Sequence, residues 1–417
     1  MSRIPHNSLE LGIAQHRDEK FEKRAILFVS FCAFWILFLP KAGVRVNGLP
    51  LLVSSFCVIW LIVFLALRKK VLDNHSHVAA YVIFSASWYF LVIFRNSDFQ
   101  ISSANKFAAL SWFFLSPIFW ILASNFRLKT RTFSINWIYL CFSLLSIYSI
   151  AQHFFGLEFL QFPGLTIALG DSYEGKNLNI FEGSNVVALK SPSTYQSGNL
   201  FGQSAAIILI WIIQLNSGKK YGSRNLRLFM IFSVSFALLL SFSRTALLAL
   251  LLGWLVYFTL SRSRGRGFLG LVVIFMAVIA MINPLIANRF SLANLTSDTG
   301  RTVVWRKAFE TYSLPDWLFG RVGPIPRYDV IMEGAVGLVS QVGIFGLLFI
   351  LICWRKSGLT KWPGLTATFW FCVAIDSTYY FAPFMWIPAL VLIYGSNLSS
   401  PDSSKIEFKP DSVTLQK

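Results

Sequence analysis

The apolar run from Leu228 to Leu260 constrains this chain more than any other stretch, because a single cation, Arg244, interrupts it near its middle. As one helix the run would be roughly 50 Å long at ~1.5 Å per residue, against ~30 Å for the hydrocarbon core of a bilayer. It therefore reads as two spans joined by a tight hairpin at Ser241-Phe242-Ser243-Arg244-Thr245. Lys219, Lys220, Arg224 and Arg227 precede the run and Arg262, Arg264 and Arg266 follow it, so both ends are expected on the cytoplasmic face. Arg244 then lies at the far tip. Each arm reaches only about 24 Å, short enough to draw the tip below the outer interface. A cation in that position is destabilising unless something binds it, which marks Arg244 as a functional candidate.

The rest of the composition agrees with a polytopic membrane protein. Of 417 residues 55% are hydrophobic and 13% charged, with 41 Phe and 14 Trp, whereas soluble domains carry about 25% charged residues. The net charge of +18 does not indicate nucleic acid, because most of the cations fall in short loops between apolar runs, where they set orientation. Cys32, Cys57, Cys141, Cys353 and Cys372 lie in or beside apolar runs without metal-ligand spacing, so neither a metal site nor disulfides are expected.

Residues 1–24 form a polar cytoplasmic leader, and the first apolar run is expected to be retained as a span. Apolar runs follow at about 25–39, 50–67, 78–94, 108–124, 137–155 and 199–215, then the two hairpin arms, then 268–287, 335–353, 363–376 and 380–394. The expected fold class is all-α, with about 12 transmembrane helices in a single domain over 25–395. Both termini are expected in the cytoplasm, with 396–417 as a tail. Two outer loops, 156–198 and 288–334, are too long to be simple connectors. In the second, Trp305, Ala308, Phe309 and Tyr312 recur at spacings of three and four, which predicts a short amphipathic helix over 302–312.

Outer cations concentrate as Arg244, Arg289, Arg301, Arg306, Lys307, Arg321 and Arg327. A guanidinium is a planar donor fork that never deprotonates, so such a crowd at a bilayer surface suits a diphosphate; lipid headgroups and the carboxylates Asp298, Glu310, Asp329 and Glu333 are the competing partners. Arg301 and Arg306 are five apart and point to different sides of a helix. Among carboxylates, Glu333 is the first candidate for a general base and Asp376 is a further outer candidate. His153, near the end of the fifth span, reads as a headgroup contact. No HExxH, Walker, Ser/His/Asp or dinucleotide-glycine pattern is visible, so no cofactor is indicated.

Three segments resemble the superfamily of bacterial O-antigen polymerases and O-antigen ligases: 193–202 (STYQSGNLFG), 240–250 (LSFSRTALLAL), and 299–305 (TGRTVVW) continuing through Gly343-Ile-Phe-Gly346. The "SxSRxxLL" hairpin is the most specific, and together the segments cover about the C-terminal half. The resemblance implies a GT-C-like fold in the bacterial inner membrane, metal-independent glycosyl transfer on the periplasmic side, and a glycan carried on undecaprenyl diphosphate as substrate. A chain-length regulator protein is an implied partner, beside the lipid bilayer. Family arginines thought to hold the diphosphate map onto Arg244 and Arg301, with Arg321 a weaker match; Arg306, one of the outer cations, is a further candidate substrate contact. Lys190 stands nearest the place of another family arginine, and Tyr195, Asn199 and Asp376 are expected to line the glycan site. Ligases of the superfamily typically have a His-Asn pair where this chain has Met332-Glu333, which favours a polymerase with Glu333 as base. A ligase acting on a lipid acceptor and a lipid-linked oligosaccharide flippase are the alternative readings.

Overall fold

The computed structural model describes residues 23–46, 49–67, 75–95, 115–126, 131–156, 160–169, 179–182, 185–189, 191–195, 197–215, 222–260, 300–321, 334–375 and 385–395. Most of these residues are helical. In chain order the helices are α1 (23–37), α2 (Val53–Ala66), α3 (His75–Arg95), α4 (Ser116–Ser124), α5 (Arg131–Phe155), α6 (Gly198–Leu215), α7 (Arg224–Leu240) and α8 (Arg244–Leu260). They continue with α9 (Gly300–Thr311), α10 (Leu314–Phe319), α11 (Gly334–Lys356), α12 (Pro363–Ile375) and α13 (Ile387–Gly395).

Within α5, residues Ile135–Phe155 are long and apolar enough to cross a membrane, as are α6 and α11. Four shorter apolar helices accompany them: α2, α8, α12 and Ala79–Val92 of α3. These dimensions tie the protein to a membrane. The twelve-span expectation is larger than the number of helices that meet that length among the described residues, because α2, α8 and α12 fall short of it and the 268–287 run lies outside those residues. The run beginning at Pro50, for example, opens as a strand before turning into α2.

Two antiparallel hairpins add β-structure to the helical plan. β1 (Gly43–Val46) pairs with β2 (Leu49–Leu52), Gly43 opposite Leu52. β3 (Asn179–Glu182) pairs with β4 (Asn185–Leu189). Residues 160–169 lie along the free side of β1, where Arg45 N donates to Leu169 O at 2.8 Å and Leu169 N to Gly43 O at 2.9 Å. A segment of the long 156–198 loop is thereby fastened to the connection between α1 and α2, because a strand edge left open would strand its backbone donors.

Helix α6 is the axis of the bundle. It is buried almost all round, which a uniformly apolar helix requires, and it packs against α7, α8, α12 and α13. Small residues set the closest crossings. A Cβ placed on Gly253 of α8 would lie 1.9 Å from Thr368 Oγ1 and 2.7 Å from Gly364 O, so α8 and α12 touch backbone to backbone. Thr368 Oγ1 is within hydrogen-bonding distance of Ala249 O (3.1 Å) and Gly364 O (2.9 Å). The pairs 249/368 and 253/364 define an antiparallel register.

Helix α11 is broken at Gly343, whose φ of 72° is open to glycine but strained for other residues. Gly320, at the end of α10, fills the notch: a Cβ on Gly343 would meet Leu318 O at 2.4 Å, and one on Gly320 would meet Gln341 O at 2.2 Å. Trp88 Nε1 donates to Val342 O at 3.0 Å and satisfies a carbonyl beside the break. Gly343 and Gly320 therefore let the short helix α10 dock into α11.

Candidate functional site

A turn between two helices forms at the predicted place in the chain. Helix α7 ends at Leu240, the turn is Ser241-Phe242-Ser243, and Arg244 is the first residue of α8. Phe242 adopts φ 50°, a left-handed conformation that costs a non-glycine residue about 1–2 kcal/mol. Several contacts hold it there. Ser241 Oγ donates to Leu238 O at 2.7 Å and accepts from Ser243 N at 3.3 Å, and Ser243 Oγ caps α8 by accepting from Ala246 N at 3.3 Å. From below, Gly202 of α6 presses against the turn, where a Cβ would lie 2.8 Å from Ser241 Oγ and 2.9 Å from Ser243 Cβ.

A second strained residue sits in the same corner. Ser193, φ 53°, precedes α6; its Oγ donates to Leu145 O at 2.8 Å, and its carbonyl accepts from Gln152 Nε2 at 3.1 Å. Ser191 N donates to Leu240 O at 3.3 Å, so residues 191–195 run between the end of α5 and the hairpin turn. Thr194 Oγ1 donates to Phe38 O, and Tyr195 OH donates to Leu37 O at 2.9 Å. Strained, over-determined backbone of this kind concentrates at working sites. Tyr195 is 1% exposed and serves as a strut to the end of α1. Asn199, the second residue of α6, is partly exposed at the rim of the corner.

Arg244 is partly buried, and its charge stands at the positive end of the α8 dipole. That pairing is unfavourable in isolation and becomes favourable when an anion shares the position with the first-turn amides. The imidazole of His153, in the last turn of α5, faces the same turn with its ring centroid 6.1 Å from that of Phe242. Its Nδ1 is buried without a hydrogen-bond partner among the described residues.

The second long loop builds a separate corner. Helix α9 extends from Gly300 to Thr311, close to the predicted helix, and buries Ala308 and Tyr312 against Val304, Trp317 and Val336. Phe309, expected on the buried stripe, is 63% exposed and stacks on Trp317 at 4.9 Å. Arg306 is exposed. The Trp305 ring is 3.2 Å from where a Cβ of Gly334 would stand, so it faces the start of α11; Arg301 belongs to the first turn of α9, and its side chain lies outside the described residues. Arg321 pairs with a carboxylate absent from its expected partners: Nη1 is 3.9 Å from Asp316 Oδ1, and its backbone N donates to Ser340 O at 2.6 Å. Asp316 Oδ2 also accepts from Ser313 N and Oγ at 2.9 and 2.6 Å, closing a capping box on α10. Burial pushes the Tyr312 phenol up to about 12, with the nearby Arg321 charge opposing and Asp316 assisting.

Helix α12 links the two corners. Its register with α8 sets Arg244 level with Val373, while a Cβ on Gly334 would lie 2.8 Å from Ala374 O. Arg244 and the residue next to Glu333 thus flank the last turn of one helix. Glu333, Lys190 and Asp376 lie outside the described residues, as does the 268–287 run.

Sequence reasoning missed the closeness of His153 to the hairpin and the role of Asp316. Only the solitary position of His153 among outer residues, and the Ser313/Asp316 spacing, carried any signal of them. No protein-family model matches the chain, and comparison with curated proteins returns no match.

Proposed function

We propose that this protein is a polysaccharide polymerase of the bacterial inner membrane, a metal-independent glycosyltransferase with about twelve spans in a GT-C-like arrangement and both termini in the cytoplasm. It moves glycan from an undecaprenyl diphosphate carrier onto an acceptor sugar at the periplasmic face. In this reading the acceptor hydroxyl gives its proton to Glu333, its oxygen bonds to the anomeric carbon of the donor, and the bond from that carbon to phosphate breaks. The electron pair leaves on the diphosphate, whose charge Arg244 and Arg301 stabilise. The observation that carries the reading is the fixing of Arg244 at the first residue of α8, in a turn braced by three serine hydrogen bonds and by Gly202. The resemblance of residues 240–250 to the polymerase and ligase hairpin supplies the chemical identity of the anion.

The test is a pair of substitutions in cells that make the polymer. Arg244→Ala and Arg244→Lys are both expected to abolish long polymer with membrane insertion intact, since lysine lacks the bidentate fork. Normal chain lengths in both variants refute the assignment. Full polymer yield from Glu333→Gln removes that residue as the base. Deleting the gene is expected to leave single-repeat products; long polymer stranded on its carrier indicates a ligase instead.

A further inference from the structure

The corner that holds Arg244 contains a group that the proposed chemistry leaves unused. His153 lies in the last turn of α5, and its ring lies beside Phe242, two residues before Arg244. The described contacts of His153 are ring contacts, to Phe242 and to Phe154 at 5.4 Å. Nδ1 is sealed from solvent and has no acceptor within reach among the described residues. The imidazole as a whole is partly exposed.

This asymmetry fixes what the ring can offer. A neutral imidazole carries one proton, on one nitrogen or the other. A buried N–H without an acceptor is among the rarest features of folded proteins, whereas a buried lone pair is tolerated more often. The Nε2–H tautomer avoids a buried N–H without an acceptor, and in that tautomer His153 offers a donor. Two further polar atoms in this corner lack hydrogen-bond partners among the described residues: Ser191 Oγ, in a residue 1% exposed, and Gln152 Oε1, in a residue 0% exposed. Gln152 is held by Ser193, and Ser191 by Leu240 of the hairpin, so the corner is rigid on both flanks.

We propose that His153 is a second ligand of the anion that Arg244 faces, its Nε2–H and the Arg244 guanidinium holding one lipid-linked diphosphate across the Phe242 ring. The inference rests on the proposed donor site and adds a binding residue to it. A diphosphate has oxygens on two phosphorus centres, enough to accept from an N–H and a guanidinium on two different helices at once. A phospholipid headgroup shares the phosphate chemistry and is the competing source.

The test uses the full chain in phosphatidylcholine nanodiscs titrated with undecaprenyl diphosphate, with binding followed by native mass spectrometry. His153→Ala is expected to weaken binding by about tenfold to a hundredfold, the range for a hydrogen bond to a charged group. His153→Gln, which keeps an amide donor, is expected to stay within about threefold of the parent. His153→Glu, matched to Gln in shape but an acceptor, is expected to bind no better than His153→Ala, and the Gln/Glu pair decides the matter if His153→Ala does not fold. Unchanged binding in His153→Ala, with Arg244→Ala defective, overturns the role of His153 and leaves the donor site standing. Unchanged binding in both variants overturns the donor site itself. Equal competition from phosphatidylglycerol assigns the contact to a headgroup and likewise overturns the proposal.

Discussion

Replacing Gly202 by alanine tests whether the Arg244 turn is held by α6. The added Cβ would stand 2.8 Å from Ser241 Oγ, 2.9 Å from Ser243 Cβ and 3.1 Å from Ala246 Cβ. Restoring the ~3.5 Å spacing of non-bonded carbon atoms requires the turn to withdraw by about 0.6 Å. Ser241 cannot rotate out of the way cheaply, because its hydroxyl already donates to Leu238 O and accepts from Ser243 N. Overpacking of this kind costs about 1–3 kcal/mol, which corresponds to roughly fivefold to hundredfold faster opening of the backbone it displaces. Hydrogen–deuterium exchange of residues 240–247 in nanodiscs reads that opening directly. Gly156→Ala is the control: its φ is +87° but no atom lies within 4 Å of the new Cβ, so the strain stays local. If Gly202→Ala exchanges at 240–247 like the parent protein, the bracing of Arg244 by α6 is refuted. If it exchanges faster, polymer synthesis is expected to fall by about tenfold, since a misplacement near 1 Å can cost about a hundredfold.

Gly253→Ala is expected to prevent stable folding, because its Cβ would overlap Thr368 Oγ1; combining it with Thr368→Ala should recover part of the folded yield seen by size-exclusion chromatography. Asp316→Asn removes the ion pair with Arg321 and weakens the α10 cap, and its effect should be modest, about 1 kcal/mol, since the pair is long at 3.9 Å and the asparagine side-chain oxygen can still accept from Ser313. Limited proteolysis within 313–321 should show it. The raised Tyr312 phenol carries a pH prediction. Its proton is bound more tightly in the folded state than in the unfolded one, so the stability it contributes is complete below about pH 10 and is lost between there and about pH 12. Tyr312→Phe should flatten that part of the stability profile.

The hairpin was legible because its causes are local. The length of the apolar run set against a bilayer, the flanking cations and the lone Arg244 together defined two arms, and α7 and α8 end and begin where that arithmetic requires. The helix in the second long loop was legible for the same reason, since its apolar spacing is written in consecutive residues. Which side of that helix faces inward was only half legible. Trp305, Ala308 and Tyr312 turn toward the protein, whereas Phe309 turns out to stack on Trp317, a partner supplied by the neighbouring α10.

Hydropathy and charge thus determined that this is a helical membrane protein with one cation set at a hairpin tip, because burial in a bilayer depends on each segment's own length and polarity. The tertiary structure alone decided what surrounds that cation. Gly202 beneath the turn, His153 beside Phe242, and Arg321 bonded through its backbone to Ser340 of α11 are contacts between different elements. A glycine in a helix announces that something comes close without saying what, and only the packing of α6 against α7 and α8 supplies the answer. The same packing places α12 between the corner that holds Arg244 and the corner that opens at Gly334.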